Sequence, residues 1–140
     1  GMNSFNHYSY GPIGESLYRY VAGIEFDEKN PGYKHIIFQP HPGGGLAYAE
    51  ATYESVYGKI VSDWSANEKK FNYKVVVPPN TTATIKLPKA DRKEVTVNGT
   101  LMKEGDSLQN IRKEKDDLLI EAKPGTYRFV YPYATKERGN

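Results

Sequence analysis

The chain has 140 residues and a formal charge of +2, with its Lys and Arg residues dispersed among acidic ones. It therefore lacks the basic footprint that a phosphate backbone requires, and no nucleic-acid partner is expected. It contains no cysteine, which rules out disulfides, thiol catalysis and cysteine-based zinc sites, and no apolar run reaches the length of a membrane span or a signal-peptide core.

Residues 12–22 predict the one helix. Pro12 suits a first helical turn, Ile13, Leu17, Tyr20 and Val21 recur along one face, and Gly23 supplies a left-handed stop. A helix of about three turns cannot shield its own apolar stripe, so it needs a partner surface. Residues 25–32 form a polar connection ending in a Pro-Gly turn signal, and strands are predicted beyond it.

The predicted strands cover residues 35–39, 46–55, 58–64, 70–77, 82–87, 94–97, 106–111, 118–122 and 125–131. Pro40, Pro42 and the Gly43-Gly44-Gly45 run separate the first two. Asn98-Gly99 is the signature of a type I′ hairpin, since both central positions need positive φ, and Pro124-Gly125 is expected to turn the chain between the last two strands. Twelve Tyr, five Phe and one Trp favour a pleated surface, where wide flat side chains pack well. Short strands with close turns and no helices between them predict an all-β fold. The expected architecture is an antiparallel β-sandwich of about eight or nine strands preceded by one short α-helix.

Three runs carry a family resemblance. They are Ser4-Phe5-Asn6-His7-Tyr8-Ser9-Tyr10-Gly11-Pro12, then Gly14-Glu15-Ser16-Leu17-Tyr18-Arg19-Tyr20-Val21-Ala22-Gly23-Ile24, and Tyr57-Gly58-Lys59-Ile60-Val61-Ser62-Asp63-Trp64 leading to Val75-Val76-Val77-Pro78-Pro79-Asn80. Together, over roughly residues 3–131, they resemble the C-terminal part of bacterial α-L-rhamnosidases, where the last helix of an α/α-barrel passes into a β-sandwich. The resemblance implies that residues 1–24 are a remnant of the barrel, residues 25–133 the sandwich and residues 134–140 a flexible tail. It also implies a parent glycosidase acting on rhamnose-containing glycans in the periplasm or outside a bacterium. The missing barrel would be this chain's partner. A helix face left without that barrel is expected to seek another apolar surface, a second copy of the chain included.

Within that resemblance His7 is expected to contact the sugar, with a ring nitrogen on a rhamnose hydroxyl, and Asn6 and Tyr8 to line or brace the same pocket. Without it, a lone His among aromatics reads as a structural residue. Glycoside hydrolysis ordinarily needs two carboxyl groups flanking the scissile bond. The resembled family is an inverting one, and both of its carboxyl positions lie upstream of the Asn-His-Tyr segment, so no catalytic residue is expected in this chain. Glu15, in the first helical turn, is explained by the helix dipole. Glu25, Asp27 and Glu28 lack the alternation of a calcium loop.

His35 and His41 match no zinc spacing and read as surface or strand-end residues, and no cofactor or metal is expected. Arg112 to Asp117 mixes both signs and reads as a solvated turn. Asn80-Thr81-Thr82 and Asn98-Gly99-Thr100 fit the glycosylation sequon but read better as turns. Trp64 reads as core rather than as a sugar platform. The alternative class is a stand-alone carbohydrate-binding or adhesive sandwich, with exposed tyrosines and Trp64 forming its ligand face.

Overall fold

The computed structural model describes residues 20–27, 35–43, 45–67 and 69–134. Tyr20, Val21 and Ala22 are helical, and Gly23 follows at a φ of 102°. Among the described residues eleven strands then form two sheets, β1 Ile24–Phe26, β2 His35–Phe38, β3 Tyr48–Ser55, β4 Gly58–Asn67, β5 Lys70–Val77, β6 Thr82–Leu87, β7 Thr96–Val97, β8 Thr100–Leu101, β9 Leu108–Glu114, β10 Asp117–Ala122 and β11 Gly125–Pro132. A five-stranded sheet has the order β1-β2-β6-β10-β9, and a six-stranded sheet the order β3-β4-β5-β11-β7-β8. The predicted all-β sandwich is the fold observed. All strand pairs are antiparallel except β2 with β6, a parallel pair made possible because β3, β4 and β5 intervene in the other sheet.

Inward and outward residues alternate as a half-solvated sheet requires. On β4 the inward set is Ile60, Ser62, Trp64 and Ala66, and on β5 it is Phe71, Tyr73, Val75 and Val77. Phe71 is the hub of an aromatic cluster, with ring centroids 5.7 Å from Trp64, 6.1 Å from Tyr73, 5.3 Å from Tyr131 and 5.0 Å from Tyr133. Such pairs contribute about 0.5–1.5 kcal/mol each beyond the area they bury. The buried phenols find acceptors, Tyr131 Oη at Pro88 O (2.7 Å) and Tyr127 Oη at Lys123 O (2.7 Å). That is how a core can carry this much tyrosine.

Several elements differ from the sequence reading. The polar connection expected after residue 24 starts as strand β1, in which Ile24, Glu25 and Phe26 pair with Phe38, Ile37 and Ile36. Glu25 is tolerated there because it points away from the core that buries Ile24. Arg92–Glu94 forms a 3-10 turn capped by the Asp91 side chain, so β7 is shorter than predicted. Strand β9 runs on through Arg112, Lys113 and Glu114, and only the residues around Lys115, at a φ of 59°, make the turn expected of the whole charged run. Asn98 and Gly99 have φ of 51° and 87°, as a type I′ hairpin demands. Pro124-Gly125 carries the chain from one sheet to the other rather than closing a hairpin.

Candidate functional site

Asn6, His7 and Tyr8, the residues expected to meet a sugar, lie outside the described residues, as do Glu15 and Glu28. No group of three or more His, Asp or Glu among the described residues could hold a metal ion. No described helix is long and apolar enough to cross a membrane.

What the described residues do build is a socket around the end of a helix. The last four carbonyls of a helix have no intrahelical donor, and when buried they need one from elsewhere. Here each carbonyl from Tyr20 to Gly23 is met by the sandwich. Tyr20 O accepts from His41 Nδ1 at 2.8 Å, Val21 O from Trp64 Nε1 at 3.0 Å and from His41 N at 3.2 Å, Ala22 O from Ser62 Oγ at 2.7 Å, and Gly23 O from Gln39 N at 2.8 Å.

The proton positions follow from counting donors. A carbonyl cannot donate, so His41 carries its hydrogen on Nδ1. Its ring also stacks on Tyr20, centroid to centroid at 3.9 Å and 9° from parallel. Ser62 has a single hydroxyl hydrogen, which goes to Ala22 O, so the 2.6 Å contact with Tyr73 Oη is a bond donated by Tyr73. Burial pushes the Tyr73 phenol far above its ordinary range, which keeps that donor protonated. Gly23 sits where the backbone of β2's exit approaches, and a Cβ there would lie 2.6 Å from Gln39 C and Pro40 N.

Trp64 is fully buried, so it cannot act as a sugar platform, and its role as core is as expected. His41 follows the end of β2 at a half-exposed position, as its reading as a surface or strand-end residue implies, and it also serves as a socket donor. Ser62 was not singled out in the sequence at all. The available signal was the alternation of β4, which puts a hydroxyl at an inward position between Ile60 and Trp64, where a polar group must have a dedicated partner.

A second polar arrangement crosses the outer face of the five-stranded sheet. His35 opens β2 and contacts Thr82 Oγ1 through Nδ1 at 2.7 Å and Thr84 Oγ1 through Nε2 at 2.8 Å. Thr84 donates to Glu121 Oε1 at 2.8 Å, which leaves its oxygen to accept from His35 Nε2–H. Glu121 Oε2 pairs with Arg112 Nη2 at 3.0 Å. The network ties β2, β6, β10 and β9 together, and every member has a partner within the sheet.

Residues 23–102 match the model of the bacterial alpha-L-rhamnosidase C-terminal domain, a stretch that includes most of the socket. The chain belongs to this family. An alpha-L-rhamnosidase of Formosa agariphila is 40% identical over 95% of this chain, yet the chain spans only 14% of that relative. The crystal structure of Streptomyces avermitilis alpha-L-rhamnosidase complexed with L-rhamnose aligns over 92% of the chain and 12% of that protein, at a TM-score of 0.68 and 32% identity. The alpha-L-rhamnosidase of Dictyoglumus thermophilum aligns over 95% of the chain and 15% of its own length, at a TM-score of 0.69 and 29% identity. The rhamnosidase C-terminal domain is thus a small part of each enzyme it resembles, and its socket receives the helix end that immediately precedes it in sequence.

Proposed function

We propose that this chain is the C-terminal sandwich of an α-L-rhamnosidase that hydrolyses terminal α-L-rhamnosyl linkages in plant polysaccharides or glycosides. Its task is to fix the end of the helix that leads into it. The observation that carries this reading is the complete capping of the Tyr20–Gly23 carbonyls by His41, Trp64, Ser62 and Gln39. A freely tethered module would have no need to satisfy every group at the junction with its neighbour, whereas a rigid joint requires it.

In this reading residues 1–24 belong to the barrel, residues 25–133 to the sandwich and residues 134–140 to a tail. The boundary falls inside strand β1, so Ile24 already pairs with Phe38, and the joint has no slack. His7, assisted by Asn6, contacts the sugar in the parent active site, and the acid and base carboxyls are supplied by the parent upstream. The chain alone is inactive.

An aryl α-L-rhamnoside assay tests this directly. This chain should show no turnover, and turnover at a rate near that of the whole enzyme would overturn the assignment of the chemistry to the parent. In the whole enzyme, His7→Ala should cost roughly 1–3 kcal/mol in kcat/KM, the range for losing one polar partner. Unchanged kcat and KM would remove the proposed contact.

A further inference from the structure

The register of the six-stranded sheet lines up four charged side chains on its outer face. Glu50 pairs with Asp63, Asp63 with Lys74, and Lys74 with Arg128. The neighbouring register position carries Tyr48, Ser65 and Asn72 in the same order across β3, β4 and β5. All of these alternate with inward residues, so they share the outward face. Between the two rows is a shallow hollow of about 200 Å³ whose lining includes Asp63, Ser65, Asn72, Lys74 and Arg128. Tyr48 stands beside it, 68% exposed, and directly across from Ser65.

We propose that this face is a glycan-binding surface that takes one or two rings of a neutral, hydroxyl-rich oligosaccharide. A sugar hydroxyl both donates and accepts, and the hollow offers both kinds of partner side by side. Asp63 accepts, Lys74 and Arg128 donate, and Asn72 and Ser65 do either. The C–H face of a pyranose needs a flat apolar surface, which the Tyr48 ring supplies at the rim. The two carboxylates and two cations of the row cancel, so nothing in the charge favours a polyanion. The hollow is below the ~300–1,000 Å³ of an enclosed small-molecule pocket, as suits a chain lying across a sheet. Burial and the nearby Glu50 raise the Asp63 carboxyl from its ordinary value while Lys74 and Arg128 oppose that, so its hydration is already weakened before a ligand arrives. The surface uses none of the residues that cap the Tyr20–Gly23 carbonyls, and the inference does not rest on the rhamnosidase reading.

The test is an NMR titration of this chain, labelled with nitrogen-15, using L-rhamnose, a neutral rhamnose-containing oligosaccharide and polygalacturonate as separate probes. Binding of the neutral oligosaccharide should shift amides of β3, β4 and β5 around Tyr48, Ser65 and Asn72. Tyr48→Ala and Asn72→Ala should each weaken it by roughly tenfold or more, and both positions are on the surface, so their folds can be checked from the unperturbed spectrum. The indole of Trp64 faces the opposite side of the sheet and its emission should stay constant. Absence of shifts with either neutral probe at millimolar concentration, shifts confined to another face, or binding of polygalacturonate alone that salt abolishes would each overturn the proposal.

Discussion

Trp64 Nε1 lies 3.0 Å from the carbonyl oxygen of Val21, so the one tryptophan of the chain joins the core of the sandwich to the end of the helix before it. Its ring stacks on Phe71 while its N–H reaches out of the sheet to the joint. The two roles can be separated by substitution. Trp64→Phe keeps an aromatic in the stack and removes the donor, leaving Val21 O with His41 N alone. It should cost about 1–3 kcal/mol, against about 3–5 kcal/mol for Trp64→Ala, which also empties the core. Urea unfolding followed by circular dichroism measures both, since fluorescence is lost with the indole. A cost near zero for Trp64→Phe, with Trp64→Ala still strongly destabilised, would show that the N–H bond contributes nothing.

Ser62 and Tyr73 form a directional pair, Tyr73 donating to Ser62 and Ser62 to Ala22 O. Removing the middle member strands both neighbours in a dry site. Ser62→Ala should therefore cost about 2–4 kcal/mol, more than Tyr73→Phe at about 1 kcal/mol, because Ser62 can still serve Ala22 when Tyr73 loses its hydroxyl. The double variant should cost less than the sum, since the phenol stranded by Ser62→Ala is then gone. Additive costs in a double-mutant cycle would contradict the relay.

Gly23 is required for two independent reasons, its φ of 102° and the 2.6 Å approach of any Cβ to the backbone of Gln39 and Pro40. Gly23→Ala should destabilise by more than about 1–3 kcal/mol, because neither the strained dihedral nor a backbone clash can be relieved locally. Gly105→Ala is the control. A Cβ there meets nothing within 4 Å, and the change should be neutral or stabilise by about 0.4–1 kcal/mol through the unfolded state. Thermal midpoints of the two variants give the contrast.

These joint residues explain what could and could not be read from the sequence. Strands such as β5 and β6 were legible because their inward and outward residues alternate without interruption, and Asn98-Gly99 because only a few residues accept its dihedrals. Strand β1 was hidden by Glu25, a polar residue pointing outward in a three-residue element too short to show a period. The socket was hidden for a different reason. His41, Ser62 and Trp64 lie 21, 40 and 43 residues along the chain from the carbonyls their side chains serve, and which carbonyls they serve is set by tertiary approach rather than by local pattern. Lys113 shows the same limit, since it sits in a run that reads as solvated yet its Nζ reaches Ala90 O at 3.0 Å.

The tyrosine-rich core makes stability fall on the alkaline side. Burial raises the phenols of Tyr73 and Tyr131 far above their ordinary range, and those of Tyr127 and Tyr133 are raised as well, again mainly by burial. In the unfolded chain a phenol loses its proton near pH 10, whereas in the folded chain Tyr73 and Tyr131 keep theirs. Above that pH the unfolded state binds fewer protons, so the unfolding free energy decreases as pH rises. The stabilisation is fully present below about pH 10 and is lost progressively as the pH climbs towards the folded value, with a slope near 1.4 kcal/mol per pH unit for each such group. Tyr133 is only partly buried and should add little. Urea unfolding at a series of alkaline pH values should show this decline, and Tyr73→Phe should flatten it by about one group's share. Phenolate absorbance from the buried pair should appear together with the loss of circular dichroism. If that absorbance rose while the sheets were intact, the phenols of Tyr73 and Tyr131 would have to be reached by solvent in the folded chain, contrary to their packing against Phe71.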